Sequence, residues 1–144
     1  MSKGNTYEND WMKLFFQGTA IANLAQNAAT GPLTNLFFSL HTADPGEAGT
    51  QTTSEVSYGG YARVAKARTA TGFGITNNVA SPIGLVTFAQ RTNTGTATVT
   101  FFGVGSTGGA GAGKLFYSGT VTPNIVITQN VTPRLTTGST ITED

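Results

Sequence analysis

TATVTFFGV, from Thr96 to Val104, alternates along its whole length. Ala97, Val99, Phe101 and Gly103 fall on one face of an extended chain, and Thr98, Thr100 and Phe102 on the other. Side chains of a strand point to opposite sides in turn, whereas a helix returns to the same face every third or fourth residue, so this stretch reads as a β-strand. Outward from it, short runs of similar character are separated by turn residues. They predict strands near Asn35–Thr42, Tyr61–Thr69, Phe73–Asn78, Gly84–Phe88, Lys114–Val121, Ile125–Thr128, Arg134–Thr136 and Thr140–Thr142. KLFYSGTV opens with large apolar residues, and NIVITQ follows Pro123, which can begin a strand but not sit inside a central one. Short strands at regular spacing favour antiparallel layers over βαβ units. The expected fold is mainly β: an antiparallel β-sandwich, jelly-roll or immunoglobulin-like, with one N-terminal helix.

That helix is expected from Asn9 to about Gln26, where Trp11, Leu14, Phe15, Ile21, Ala22, Leu24 and Ala25 recur at helical spacing. Asn9 or Asp10 would cap its start, Gly18 would weaken its middle, and Gly31-Pro32 would stop it. The division that follows is a helical arm over 1–31 and a β-sandwich domain over 32–144. Trp11, Phe15 and Phe16 must bury somewhere, each worth roughly 1.5–3 kcal/mol. Two places are open to them, the chain's own sheet or a neighbouring subunit.

Composition supports the fold and narrows the function. The chain has 144 residues, enough for one domain with a real core, and is rich in threonine, with 19 glycines and nine phenylalanines. Only 10% of residues are charged and the net charge is +1, so no overall field draws the chain to nucleic acid or anionic membrane. Without cysteine there is no disulfide framework, thiolate nucleophile or cysteine zinc site. LFFQGTAIANLA is broken by Gln17, Gly18 and Thr19 and preceded by Glu8 and Asp10, so a cleaved leader is not expected. No apolar run approaches the ~18 residues of a membrane span.

Three stretches invite a reading as sites. GVGSTG, Gly103 to Gly108, has dinucleotide-turn spacing, but the glycines that follow cannot start the helix whose N-terminus would hold a pyrophosphate. GGAGAGKL has Leu115 where a phosphate loop needs Ser or Thr. Both read better as a flexible hairpin tip between two strands. The third is LHTADPGEAGT, with the single histidine, His41, near Asp44 and Glu47. Asp44-Pro45-Gly46 has turn chemistry, which occupies Asp44 and leaves His41 as a strand-end residue rather than a metal ligand or general base. Arg63, Lys66 and Arg68 lie along one strand, with Arg63 on the opposite face; the two like charges that share a face, Lys66 and Arg68, read as a solvated strand surface or a rim contact to an acidic partner. Asn130-Val131-Thr132 is a glycosylation triplet by pattern only.

LHTADPGEAGTQTTSEVSYGGYARV, Leu40 to Val64, resembles a block found in a family of small tailed-bacteriophage virion proteins. The block reads LHTADPG followed by QTTxEVxYxGYxRV, matched here from Gln51 to Val64. Gly18-Thr19 resembles that family's helix end, FFGVGSTGGAGAGKLFYSG its glycine-rich hairpin, and VTPRLTTGSTITED its closing strand. The resemblance implies a virion structural protein with neither catalytic activity nor cofactor nor metal. Its first expected role is capsid decoration (cement), binding the assembled head as a homotrimer through itself and the major capsid protein or other virion proteins. The alternative is a tail fibre or receptor-binding component, contacting a host-surface glycan through exposed Tyr58 and Tyr61. Subunit or capsid contacts are expected at Trp11, Leu14, Phe15, Phe16, Tyr58 and Tyr61. The protein would be made in the host cytoplasm and carried on the outside of the phage head or on the tail, with neither nucleic acid nor membrane as partner.

Overall fold

A computed structural model of the chain describes residues 5–21 and 32–142. Among them are one helix, α1 (Asn5–Gln17), and nine strands: β1 (Asn35–His41), β2 (Val64–Ala67), β3 (Phe73–Thr76), β4 (Val79–Pro82), β5 (Val86–Thr87), β6 (Ala97–Gly105), β7 (Leu115–Ile127), β8 (Arg134–Leu135) and β9 (Ile141–Thr142). Over the described residues the fold is mainly β, with antiparallel pairing, as the alternation implies, and one helix near the N-terminus. The sheets run β2-β1-β6-β7, β3-β4-β9 and β5-β8. The chain forms two compact units: Met1–Leu36 with Lys66–Leu85 and Thr136–Asp144, and Phe37–Ala65 with Val86–Leu135.

The first unit holds α1 and the β3-β4-β9 sheet. Met12 and Phe16, one helical turn apart, are fully buried, and Phe16 meets Phe73 of β3 at 5.0 Å between ring centroids. The helix begins earlier and ends sooner than its spacing predicts. Asn9 lies inside it rather than at a cap, and its Oδ1 accepts the Asn78 amide at 2.8 Å. The end falls at Gly18, whose φ of +67° is a left-handed conformation that suits glycine after a last helical turn. Thr19 N–H then returns to the Lys13 carbonyl. The expected continuation through Ala22, Leu24 and Ala25 to Gln26, with the Gly31 stop, lies outside the described residues.

Arg68, expected on a solvated strand face, closes this helix instead. Its Nε donates to the Phe15 carbonyl and its Nη2 to that of Leu14 at 2.6 Å. The last carbonyls of a helix lack partners within it and carry its negative end, so a guanidinium there satisfies both. Lys66 likewise bonds the Ile83 carbonyl at 2.7 Å. The sequence reading also ran Phe73–Asn78 as one strand and left out β4. Asn77 and Asn78, with φ of +48° and +57°, form a two-residue turn, and β4 returns along β3 from Val79 to Pro82.

In the second unit, β6 is flanked by β1 and β7. Phe38, Leu40, Val99, Phe102 and Val104 are buried there, with Val86 and Leu135 from the β5–β8 pair. The two runs read separately as Lys114–Val121 and Ile125–Thr128 are one 13-residue strand, β7. The expected interruption survives as a break in pairing: β6 pairs through Val99 with Ile125, then through Phe101 with Thr120, leaving Val121–Asn124 without β6 partners. Pro123 sits in that interval on an outer strand, where its missing N–H costs no ladder bond.

Candidate functional site

The Leu40–Val64 stretch folds into a buried polar network in the second unit. His41 ends β1 with no exposed surface, as its reading as a strand-end residue requires. Both ring nitrogens are engaged: Nε2 with Ser39 Oγ and Nδ1 with the Thr53 carbonyl, each at 2.8 Å. Neither is left to take a proton from a substrate or a metal. Asp44 makes the turn its neighbours imply, its Oδ1 accepting the Gly46 amide at 2.9 Å.

Glu55 and Arg63 form the centre of the network. The guanidinium holds the carboxylate by two bonds, Nε to Oε1 at 2.8 Å and Nη2 to Oε2 at 2.7 Å, with only 2% of the Arg63 side chain exposed. Tyr61 donates its hydroxyl to the same Oε1 at 2.8 Å and accepts the Leu40 amide at 3.1 Å, tying β1 to the pair. Burial, with the Glu55 charge beside it, pushes the Tyr61 phenol far above its ordinary range. Arg63 Nη1 points the other way, toward the carbonyls of Thr107, Gly109 and Gly111 at 3.1, 2.7 and 3.1 Å.

Those three carbonyls belong to the glycine-rich hairpin between β6 and β7, and they correct its reading as a flexible tip. A phosphate-binding loop turns N–H groups inward, whereas this one turns carbonyls inward onto a cation. Gln51, fully buried, fixes the same loop. Its side-chain amide pairs with Thr107 through Oε1 to the amide at 3.0 Å and Nε2 to the carbonyl at 3.3 Å. A Cβ on Gly105 would stand 2.2 Å from Gln51 Cδ, and one on Gly113 2.4 Å from its Oε1. Glycine is required at both for close approach to Gln51. Sequence reasoning missed this cluster because Gln51, Glu55, Tyr61 and Arg63 share no short spacing. The signal was their joint presence in QTTxEVxYxGYxRV.

The residues expected at a subunit or host contact divide sharply. Trp11 is 39% exposed, and Leu14 and Phe15 are half-buried. Phe16 is buried among its own unit's residues. Tyr58 and Tyr61 are not the exposed stacking platforms expected of them. Tyr58 is buried, donates to the Ala89 carbonyl at 2.9 Å and meets Tyr61 edge-on at 5.2 Å, and Tyr61 stacks on Phe88. Burial pushes the Tyr58 phenol up to about 12. Beside them Arg91, also buried, donates to the carbonyls of Asn93, Ile127 and Thr94.

An open groove of about 360 Å³ runs between the Asp44–Gly49 loop and Leu115–Ser118 at the start of β7. It offers the Asp44 and Glu47 carboxylates on one side and half-buried Phe116 and Tyr117 on the other. No group of three or more histidine, cysteine or acidic side chains that could hold a metal occurs among the described residues.

The buried imidazole gives a pH signature. Desolvation holds the His41 pKa below its ordinary 6.5, so between the two values the unfolded chain binds the extra proton. This contribution is complete above pH 6.5 and is lost as pH falls through 6.5 toward the folded-state pKa. The urea midpoint of the wild type is expected to drop between about pH 7.5 and 5.5. Since His41 is the single histidine, His41→Gln should remove most of that slope. Equal slopes in both proteins would refute the assignment.

A family model described as Podophage GP4 fiber I protein gp80 matches residues 2–143. No curated protein matches the chain.

Proposed function

We propose, since the chain belongs to this podophage fiber I protein family, that it serves as a fibre component of the phage tail, assembled from several copies and structural rather than catalytic in role. The observation that carries the reading is the match over nearly the whole chain to a family described as a fibre protein. It also favours the tail over decoration of the capsid, the role first expected from the resemblance.

The geometry suits such a part. The buried Glu55–Arg63 pair and Gln51 spend the polar side chains of the Leu40–Val64 block on holding β1 and the hairpin in place. The block is thus a framework, and contact with other virion proteins or a host-surface glycan falls to exposed edges and loops. The groove beside β7, with its carboxylates and aromatic side chains, is a place on the second unit suited to sugar hydroxyls.

Antibody labelling of intact particles tests the assignment. Label confined to the tail is expected. Label spread over the head shell would overturn it in favour of capsid decoration.

A further inference from the structure

Five large apolar side chains stand well exposed among the described residues: Trp11, Leu33, Ile83, Leu85 and Val126. All but Val126 belong to the first unit. Scattered singly such residues mean little, but gathered on one surface they mark a contact. Lys66 and Arg68, two residues apart and so on the same side of the chain, bring the four segments together. Lys66 Nζ holds the Ile83 carbonyl at 2.7 Å, and Leu85 lies just past Gly84, whose φ of +73° makes the turn between them. The Arg68 amide donates to the Thr34 carbonyl at 2.9 Å, and its Nη1 to that of Leu33 at 3.4 Å. The same guanidinium closes α1 at Leu14 and Phe15, and Trp11 stands one helical turn before Phe15. The order along the unit is therefore Trp11, then Leu33 beside Arg68, then Ile83 and Leu85 beside Lys66.

The two ends of this surface are unlike and match each other. Trp11 follows Asp10, a half-buried acid on the same helix. The segments at the other end, 33–34, 66–72 and 82–85, carry two cations, Lys66 and Arg68, and no acid. The Lys66 ammonium has three N–H groups, of which the Ile83 carbonyl takes one. A second copy turned end for end would lay Trp11 and Asp10 on Ile83, Leu85 and Lys66 of the first. Indole then meets aliphatic side chains and carboxylate meets ammonium, whereas like ends together would oppose lysine to lysine. Tryptophan set among apolar side chains is the kind of anchor that carries most of an interface's binding energy.

We propose that Trp11 of one copy docks on the Leu33, Ile83 and Leu85 surface of a second copy, with Asp10 paired to Lys66 across the contact. The proposal rests on the reading that several copies assemble, and it holds wherever in the virion they stand. A contact between unlike ends serves a two-fold pair, when both ends engage at once, or a closed ring, and the mass of the wild type distinguishes these.

Light scattering and mixing of variants test it. The wild type is expected to weigh a multiple of the 14.9 kDa chain mass. W11A lacks the anchor and L85D spoils the receiving surface, so each should associate about tenfold more weakly or worse. Both positions are exposed, and circular dichroism should find both variants folded. An equimolar mixture of the two should associate more tightly than either alone, because L85D supplies the indole and W11A the intact surface. D10K and K66E should each weaken association, and D10K/K66E should recover most of it. V126D, equally exposed but in the second unit, should leave the mass unchanged. A wild type of single mass would overturn both this contact and the reading of several copies. An oligomer that W11A and L85D leave intact, or that V126D breaks, would overturn the contact alone. So would a mixture no tighter than its components, or a double charge variant no better than the single ones.

Discussion

Replacing Arg63 by methionine is expected to lower the unfolding free energy by about 3–5 kcal/mol, the cost of leaving one member of a buried ion pair without the other. The substitution keeps most of the side chain's apolar volume but strands the Glu55 carboxylate, which loses both short bonds from the guanidinium. It also releases the carbonyls of Thr107, Gly109 and Gly111, which the same side chain gathers. Glu55→Gln should cost less, about 1–3 kcal/mol, because the guanidinium keeps its carbonyl partners and a neutral acceptor. The double variant should fall short of the sum, since each residue's cost includes the other's stranding. Urea unfolding measures all three, and hydrogen exchange of the Gly108–Gly113 amides should speed up in Arg63→Met. A loss under about 1 kcal/mol with unchanged loop exchange would mean that the guanidinium does not fix the hairpin.

What the sequence disclosed, and what it concealed, follows from the range of the interactions. Alternation over Thr96–Val104 and the run Asn35–Thr42 were legible because a strand with one buried face repeats every second residue. The Asp44-Pro45-Gly46 turn was legible because its bond spans two residues. β4 was missed because Asn77-Asn78 carries the turn without glycine, and the apolar character of Val79–Pro82 is slight. Arg68 was misjudged, and the role of Arg63 went unread, for a different reason. A basic residue on a strand looks solvated in one dimension, and only the fold brings carbonyls from Leu14 and Phe15, or from Thr107 to Gly111, within its reach. The glycine-rich hairpin looked flexible by composition, yet its glycines make room for Gln51. Glycine at a close approach and glycine in a loose loop are identical as text.

Phe16→Ala is expected to cost about 3–5 kcal/mol, and Trp11→Ala less than about 1 kcal/mol, when unfolding is measured on dilute, unassembled chain. The two aromatic residues lie five positions apart on α1 and face different surroundings. Phe16 is fully buried between Phe15 at 4.9 Å and Phe73 at 5.0 Å, so truncation leaves a cavity that the β3–β4 hairpin cannot close without moving. Trp11 is 39% exposed, and its removal gives up less packing within the chain. The opposite order would return α1 to the role of an arm, folded only when a neighbour supplies the surface for Phe16. With the expected order, the helix belongs to the first unit's own core, and the apolar surface it keeps for another molecule is centred on Trp11. Trp11→Ala would then weaken assembly into the virion while leaving the isolated chain's midpoint nearly unchanged. That separation of two effects on one helix is something a purely structural role for Trp11 does not produce.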